Sequence, residues 1–123
     1  MWTVLTIAVM VGEAVPPVDK VFDALADPTR RSVVELLGSG PRRAGELAVA
    51  AGTSPPTMSR HLRVLLEAGV VADERPRDDA RIRVFRLRPE SMTAVQAWLD
   101  QIQALWDEQL GLFKRHVERG TKA

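Results

Sequence analysis

The fold of this chain is decided by residues 52–69, which read GTSPPTMSRHLRVLLEAG. A helix start is marked by Thr53 and Ser54, either of which can act as its cap, and by two prolines at first-turn positions, where a missing N–H costs little. Gly69 ends the helix. At 100° per residue, the pattern predicts an amphipathic helix that presents polar side chains outward, although an ordinary surface helix would look similar. The inward residues are Met58, Leu62 and Leu65, and the outward ones are Arg60, Arg63 and Glu67.

A shorter helix is predicted immediately before it, over residues 43–51, RAGELAVAA. Leu47 and Ala48 can pack inward, and Gly52 supplies a tight turn between the two helices. Two short helices joined in this way form a helix-turn-helix, which places its second helix in the DNA major groove. The match has one weak point, because Ala44 stands where a capping Ser or Thr is expected.

Length and composition predict one compact domain with a single core, since the chain has 123 residues and 46% hydrophobic content. The lack of cysteine excludes disulfides and thiolate metal sites and fits a reducing cytoplasm. The net charge of +1 conceals a segregation. Residues 28–88 hold 12 Arg and 7 acidic residues, a net charge of +5, and the remainder carries −4. A basic centre is typical of a polyanion-binding surface, although ordinary solvated charges would also produce it.

The first 17 residues form an apolar extension that Pro16 and Pro17 separate from the rest of the chain. No charge precedes Glu13, so the basic region of a signal peptide is missing, and the segment is too short to span a bilayer. Secretion and membrane insertion are therefore not expected. Two interpretations stay open: an extra helix that packs on a partner subunit, and a tail added by an upstream translation start.

Two further helices are predicted before the helix-turn-helix. The first covers residues 18–26, and the second begins at Pro28, is capped by Asp27 and runs to about residue 37. Arg30 and Arg31 oppose the dipole at the start of the second helix, so we expect each to have a partner, either a local carboxylate or a phosphate. The core-facing residues are expected to be Val21, Phe22, Leu25, Val33, Val34, Leu36 and Leu37.

After Gly69 the period becomes two residues, which predicts strands over residues 70–75 and 81–88 joined by a turn with Asp78 and Asp79. The alternation slips at Val84 and Phe85, which indicates either a bulge or a strand covered on both faces. A hairpin after a recognition helix is a wing, whose arginines could reach phosphates or a minor groove. Charged hairpins also protect against aggregation, and an acidic tip would be repelled by phosphate. The wing arginines are Arg75, Arg77, Arg81 and Arg83.

The last long segment, residues 91–119, predicts one amphipathic helix within a C-terminal region, 91–123. Its apolar stripe is too wide and too aromatic for so small a domain to bury, which favours a two-fold dimer over a helix that wraps its own monomer. A dimer could place two recognition helices about 34–36 Å apart, on successive major grooves. The expected interface residues are Val95, Trp98, Leu99, Ile102, Leu105, Trp106 and Phe113.

Three stretches succeed one another in the chain: FDALADPTRRSVVELL, GELAVAAGTSPPTMSRHLRVLLEAGVV and RIRVFRLRPE. Over about residues 21–90 this sequence closely resembles the bacterial ArsR (SmtB/ArsR) family of winged-helix repressors. The resemblance implies a homodimer that represses transcription by binding operator DNA, with residues 18–90 as the DNA-binding domain and the terminal helices as the dimer interface. The DNA contacts that it implies fall on Ser54, Thr57, Ser59, Arg60, His61 and Arg63, to which we add Arg77 and Arg81 of the wing.

The resemblance points to a branch of the family that lacks metal ligands. Metal-sensing relatives carry a cysteine pair in the helix that here reads VVELL, residues 33–37. In the last helix, His116 and Glu118 are two residues apart and Arg119 stands where a carboxylate would be needed. We therefore expect no metal and no cofactor, with a metal-responsive repressor that uses an unrecognised site as an alternative. His61 has two open roles, namely contact with a phosphate or base edge, and packing at the helix boundary.

No catalytic constellation is evident, since the chain shows no Gly-rich phosphate loop, Ser-His-Asp spacing or cysteine nucleophile. We predict a mainly α fold with a β-hairpin wing, a winged helix-turn-helix dimerised through its terminal helices. The expected function is a cytoplasmic repressor that binds double-stranded operator DNA. The alternative from another class is a protein-interaction module that uses the basic hairpin and the Trp-bearing helix. A small-molecule effector is left open.

Overall fold

The computed structural model describes residues 16–121. The apolar extension lies outside the described residues up to position 15, so both interpretations of it stay predictions. The described chain forms five helices and a small antiparallel sheet in the strand order β1-β3-β2. The elements are α1 (Val18–Leu25), α2 (Pro28–Leu37), β1 (Arg42–Arg43), α3 (Ala44–Ala51), α4 (Pro55–Glu67), β2 (Val71–Glu74), β3 (Val84–Leu87) and α5 (Pro89–Thr121).

Side-chain caps set the starts of two helices, as the sequence predicts. Asp27 caps α2 by accepting a hydrogen bond from the backbone N–H of Arg30 at 3.1 Å. That hydrogen bond is the main reason why the pKa of the Asp27 carboxyl lies below its ordinary value. Ser54 caps α4 by accepting from the backbone N–H of Thr57 at 3.3 Å. Of the two cap candidates, Ser54 is therefore the correct one.

The start of α3 has no side-chain cap, in keeping with the weak sequence signal there. The strand β1 holds the entry to this helix instead, because Arg42 and Arg43 pair with Phe85 and Val84 of β3. A two-residue strand is too short to show a period, so no pattern in the sequence marks it. As an additional strand of the wing sheet, β1 thus anchors the helix-turn-helix to the wing.

The wing is built from shorter strands than predicted. β2 and β3 are antiparallel, with Val71 opposite Leu87 and Glu74 opposite Val84. Because β3 begins at Val84, residues 81–83 belong to the loop, and the slip in the alternation falls at the strand boundary. The register between β2 and β3 is unbroken, so there is no bulge. Every residue of β3 is at least half-buried, which agrees with a strand partly covered on both faces. Phe85 is the buried residue of the strand, at 2% exposure.

The core is formed by the inward faces of α1 to α4 and the base of the sheet. It confirms the predicted packing residues of the helix-turn-helix, but Phe22 is wrong as a core residue. Its side chain is 37% exposed, and Ala24 is buried in its place, so the inner face of α1 is rotated from the predicted one. Leu25, Val34 and Leu36 are half-buried at the edge of the core. The buried apolar residues are Val21, Ala24, Val33, Leu37, Leu47, Ala48, Met58, Leu62, Leu65, Ala68, Val70, Val71 and Phe85.

The helix α5 has 33 residues, which corresponds to a length of about 50 Å. It packs mainly against α1, where the rings of Phe22 and Trp98 meet edge to face with centroids 5.2 Å apart. Beyond this region the helix extends away from the core with its side chains exposed. Within residues 16–121, no helix is both long and apolar enough to cross a membrane.

Candidate nucleic-acid interface

The rotation of α4 about its own axis is fixed by three side chains. Met58, Leu62 and Leu65 are buried against the core at 0 to 2% exposure. The turn before the helix is made by Gly52, whose φ of +69° lies in the left-handed region that glycine adopts without strain. Burial of one face of a helix leaves the opposite face in solvent. The outward face of α4 is therefore available for a large partner.

Basic and polar side chains line this outward face. Ser59, Arg60 and Arg63 are exposed, and none of them forms a side-chain hydrogen bond or ion pair with a residue that the structure describes. Arginine without an intramolecular acceptor keeps all five N–H donors for another molecule. These three residues are consequently the strongest candidates for direct DNA contact.

Ser54 and Thr57 are partly used by the cap of α4. The hydroxyl of Ser54 donates to Thr57 Oγ1 at 2.8 Å while its oxygen accepts from the backbone of Thr57. A hydroxyl retains some capacity for a further hydrogen bond in this arrangement. Both residues lie at the N-terminal end of α4, where helix N–H groups attract anions.

His61 faces the protein through one ring nitrogen. Its Nδ1 lies 3.3 Å from Nη1 of Arg30, and because arginine has no acceptor, the imidazole nitrogen must accept. The side chain is half-buried. This contact supports the packing role for Nδ1 and leaves Nε2 as a donor.

Arg30 and Arg31 have main-chain partners in place of the expected carboxylate or phosphate. Arg30 Nε donates to the carbonyl of Ala24 at 2.6 Å, and its Nη2 lies 3.3 Å from the carbonyl of Asp23. Arg31 donates to the carbonyls of Leu25 and Ala26 at 2.9 and 3.0 Å. These carbonyls end α1, where orphan acceptors and the negative end of the dipole favour a cation. The sequence missed this arrangement because it depends on the angle between α1 and α2.

Three of the four wing arginines have partners within the wing, and for two of them the partner is an acid. Arg81 Nε lies 3.1 Å from Asp79 Oδ1, and Arg83 Nε lies 2.7 Å from Asp73 Oδ2. These hydrogen bonds are the main reason why the pKa values of both aspartates lie below their ordinary value. Three further pairings complete the set: Arg86 with Glu74, Arg75 with the carbonyl of Ala80, and the guanidinium of Arg83 with the ring of Phe85.

Arg77 differs from the other wing arginines. It is exposed, and within the described part of the chain its side chain has no hydrogen bond or ion pair. The free wing therefore offers DNA one uncommitted guanidinium among its described residues, whereas Arg81 shares its charge with Asp79. A groove of about 350 Å³ runs between α4 and the sheet, lined by Ser59, Arg63, Arg83 and Phe85 among others.

The predicted interface residues of α5 form a largely exposed stripe. Trp106 and Phe113 are 62% and 66% exposed, and Val95 and Ile102 are half-buried. Trp98, Leu99 and Leu105 are exposed by 39 to 56%, and Leu110 and Val117 extend the same stripe. Leu112 is also exposed, outside the predicted set. An apolar surface of this size on a small chain is typical of a protein interface.

No group of three or more His, Cys, Asp or Glu side chains within residues 16–121 is arranged to hold a metal ion. The absence of metal sensing stays a prediction.

Comparison with known proteins identifies relatives of this chain. Residues 25–74 match a helix-turn-helix domain family. Over 83 residues the chain is 42% identical to an HTH-type transcriptional regulator of Mycobacterium tuberculosis. The aligned region covers 68% of this chain and 75% of the relative. Over 57 residues it is 42% identical to the transcriptional repressor SdpR of Bacillus subtilis, which covers 46% of this chain and 63% of that repressor.

Solved structures agree with this similarity. The crystal structure of an ArsR family transcriptional regulator superposes with a TM-score of 0.65 at 36% identity, covering 72% of this chain and 89% of that one. The solution structure of a homodimeric winged helix-turn-helix DNA-binding domain from Mycobacterium bovis gives a TM-score of 0.55 at 27% identity, covering 76% and 81%.

Proposed function

Because the chain belongs to the ArsR family of winged helix-turn-helix transcriptional regulators, we propose that it represses transcription as a homodimer whose α4 helices read operator DNA. The chain is a DNA-binding transcriptional regulator. The observation that carries the proposal is the outward face of α4, where Ser59, Arg60 and Arg63 are exposed and have no partner among the described residues.

Within this face we assign different roles to different positions. Arg60, supported by Ser59 and Thr57, contacts base edges, since arginine binds the O6 and N7 atoms of guanine through two parallel hydrogen bonds. Arg63 lies one turn further along the helix and contacts phosphate. Ser54, at the helix start, and His61, through Nε2, complete the contacts to the DNA backbone.

The wing adds contacts that depend on charge and carry little sequence information. Arg77 binds phosphate directly, and Arg81 exchanges the carboxylate of Asp79 for a phosphate oxygen. Surface ion pairs of this kind contribute about 0 to 1 kcal/mol, so the exchange is inexpensive. Residues 18–90 thus form the DNA-binding unit.

Residues 91–123 form the dimerisation region in this proposal. The exposed stripe on α5 supports it, because burial of Trp106 and Phe113 against a second copy would remove large apolar side chains from water. A two-fold dimer presents two α4 helices to successive major grooves of an inverted repeat. The homodimeric state of the Mycobacterium bovis domain, which has the same fold, fits this arrangement.

We further propose that DNA binding requires no metal. The whole chain has no cysteine and two histidines, so it offers few of the nitrogen and sulfur ligands that transition metals prefer.

The proposal is tested by fluorescence anisotropy of the full chain with the DNA upstream of its own gene and with a scrambled duplex. The titrations are repeated over a salt series, with zinc and with a chelator. We expect preference for the upstream DNA, a steep fall in affinity with salt from counterion release, and no effect of zinc. Zinc-induced release would contradict the metal-independent assignment. Absent or salt-insensitive binding would contradict the DNA-binding assignment and favour a protein-interaction module.

A further inference from the structure

Arg30 connects two elements that are distant in sequence. Its guanidinium donates to the carbonyl of Ala24 at the end of α1, and the same group reaches Nδ1 of His61 on the recognition helix at 3.3 Å. A third contact, of the same length as the one to His61, goes to the carbonyl of Asp23 at 3.3 Å. The side chain is only half-exposed. It therefore bridges α1 and α4 from its position in the first turn of α2.

The geometry of arginine makes this bridge rigid. The guanidinium is planar, and its donors point in fixed directions, so contacts through Nε, Nη1 and Nη2 determine its position. Nδ1 of His61 can accept only when it carries no proton, which leaves the proton of the neutral ring on Nε2. Arg30 thereby sets both the position and the tautomer of His61, which lies between Arg60 and Leu62 in α4.

We propose that Arg30 is a positioning residue for DNA recognition: it fixes the middle of α4 to the end of α1 through His61, without touching DNA itself. The inference rests on the proposed function of α4 as the recognition helix. It adds a residue of α2 to the determinants of affinity, although α2 lies outside the helix-turn-helix.

The bridge also joins the two functional sides of the chain. Arg30 is hydrogen-bonded to the end of α1, and α1 packs against α5 through the contact of Phe22 with Trp98. In the proposed dimer, α5 forms the interface, so Arg30 is one of the contacts that connect the interface to the recognition helix.

Arg31 is a matched control for Arg30. Both are arginines in the first turn of α2, and both donate to carbonyls at the end of α1, but the hydrogen bonds of Arg31 go only to Leu25 and Ala26. Arg31→Ala and Arg30→Ala thus remove the same charge and a similar cap from α1. The Arg30 variant alone removes the link to α4.

The experiment is fluorescence anisotropy with the upstream duplex and a scrambled duplex, for the full chain and the two variants. Loss of a charged hydrogen bond that positions α4 should weaken operator binding about tenfold in Arg30→Ala, and Arg31→Ala should change it less than about twofold. Binding to scrambled DNA should be equal in the two variants. Equal operator affinity of the two variants, on DNA that the original chain prefers, would overturn the inference and leave the proposed function intact.

Two further readouts separate positioning from direct contact. In a His61→Ala background, Arg30→Ala should cause no additional loss, because its effect passes through His61. The salt slope of Arg30→Ala should equal that of Arg31→Ala, whereas a slope reduced by about one unit relative to Arg31→Ala would show that Arg30 binds a phosphate and would overturn the inference.

If Arg30→Ala does not fold, Arg30→Lys provides the test. Lysine keeps the charge but lacks the planar guanidinium that donates to several acceptors at once, so we expect a folded variant with an intermediate loss of operator affinity. Full affinity in Arg30→Lys would overturn the inference. Failure of the original chain to prefer operator DNA would overturn the proposed function and, with it, this inference.

Discussion

Arg83 donates from Nε to Oδ2 of Asp73 at 2.7 Å, which joins the loop of the wing to its first strand. The guanidinium also lies 4.8 Å from the centroid of the Phe85 ring. Arg83, which is one of the arginines that alternate with apolar residues in the sequence, is thus held by the carboxylate of Asp73 and the ring of Phe85. Much of the positive charge of the wing is thus offset by acids of the wing itself, and it is most available to DNA where an arginine has no acid beside it.

Alanine at Arg60 and alanine at Arg77 should impair DNA binding in different ways. Arg60→Ala should cost about 1–3 kcal/mol and relax specificity, because it removes base contacts. Arg77→Ala should weaken binding to all sequences alike and reduce the salt slope by about one unit. Anisotropy with operator and scrambled duplexes over a salt series distinguishes these outcomes. Unchanged operator affinity and preference in Arg60→Ala would mean that the wrong face of α4 has been assigned.

Replacing Asp79 or Asp78 by asparagine should change the affinity for DNA by different amounts, although the two residues are neighbours with the same charge. Asp79→Asn removes the partner of Arg81, whereas no side-chain partner of Asp78 occurs within the described residues. Both variants remove a charge that repels phosphate, so both should bind DNA more tightly. The gain should be larger for Asp79→Asn, and the excess should vanish in an Arg81→Ala background. Identical salt-dependent affinities of the two variants would show that Arg81 stays away from DNA.

Phe113→Glu should weaken the dimer, because it places a charge in an apolar interface. Ala104→Glu is the control, since it adds the same charge to the opposite face of α5 at 100° per residue. Sedimentation velocity should show a larger monomer fraction for Phe113→Glu, together with weaker operator binding, and an unchanged dimer for Ala104→Glu. A dimer unaffected by Phe113→Glu would place the interface elsewhere.

The glycines should respond to alanine according to their backbone angles. Gly52 has a φ of +69° and open space around a new Cβ, so Gly52→Ala should cost about 1–2 kcal/mol from strain alone. At Gly69, with a φ of +76°, a Cβ would also meet the Pro16 side chain at 2.9 Å, so its loss of unfolding free energy should be greater. Gly45 lies in α3, away from positive φ, and its alanine variant should be more stable by about 0.4–1 kcal/mol. Urea unfolding measures all three, and an equal loss at Gly52 and Gly69 would contradict the close packing of Pro16.

The fold could be predicted from the sequence where local signals are strong. Two helix starts are indicated by a capping residue followed by proline, namely Asp27 with Pro28 and Ser54 with Pro55. The inner face of α4 is indicated by the spacing of Met58, Leu62 and Leu65. The buried residues of the helix-turn-helix result from that spacing. These features depend on neighbours within one or two turns, which a sequence shows directly.

Features that depend on how elements pack could not be predicted. The end of α1 is placed beside Arg30 and Arg31 by the angle between two helices, and β1 exists only because β3 lies next to it. Strand register and loop shape decide which acid of the wing pairs with which arginine. The alternation of residues in the sequence alone could therefore not predict the ion pair between Arg83 and Asp73. The assignments of DNA-contacting and interface residues remain proposals for the experiments above.

Binding of operator DNA by α4 in a two-fold dimer is tested by selecting binding sites from a pool of random duplexes with the full chain. We predict enrichment of an inverted repeat whose half-sites are about one helical turn, 10–10.5 base pairs, apart. The same selection with Arg60→Ala should lose the preference at one base pair in each half-site. A pool that stays random with the original chain, or a single unrepeated site, would contradict DNA recognition by α4 in a two-fold dimer.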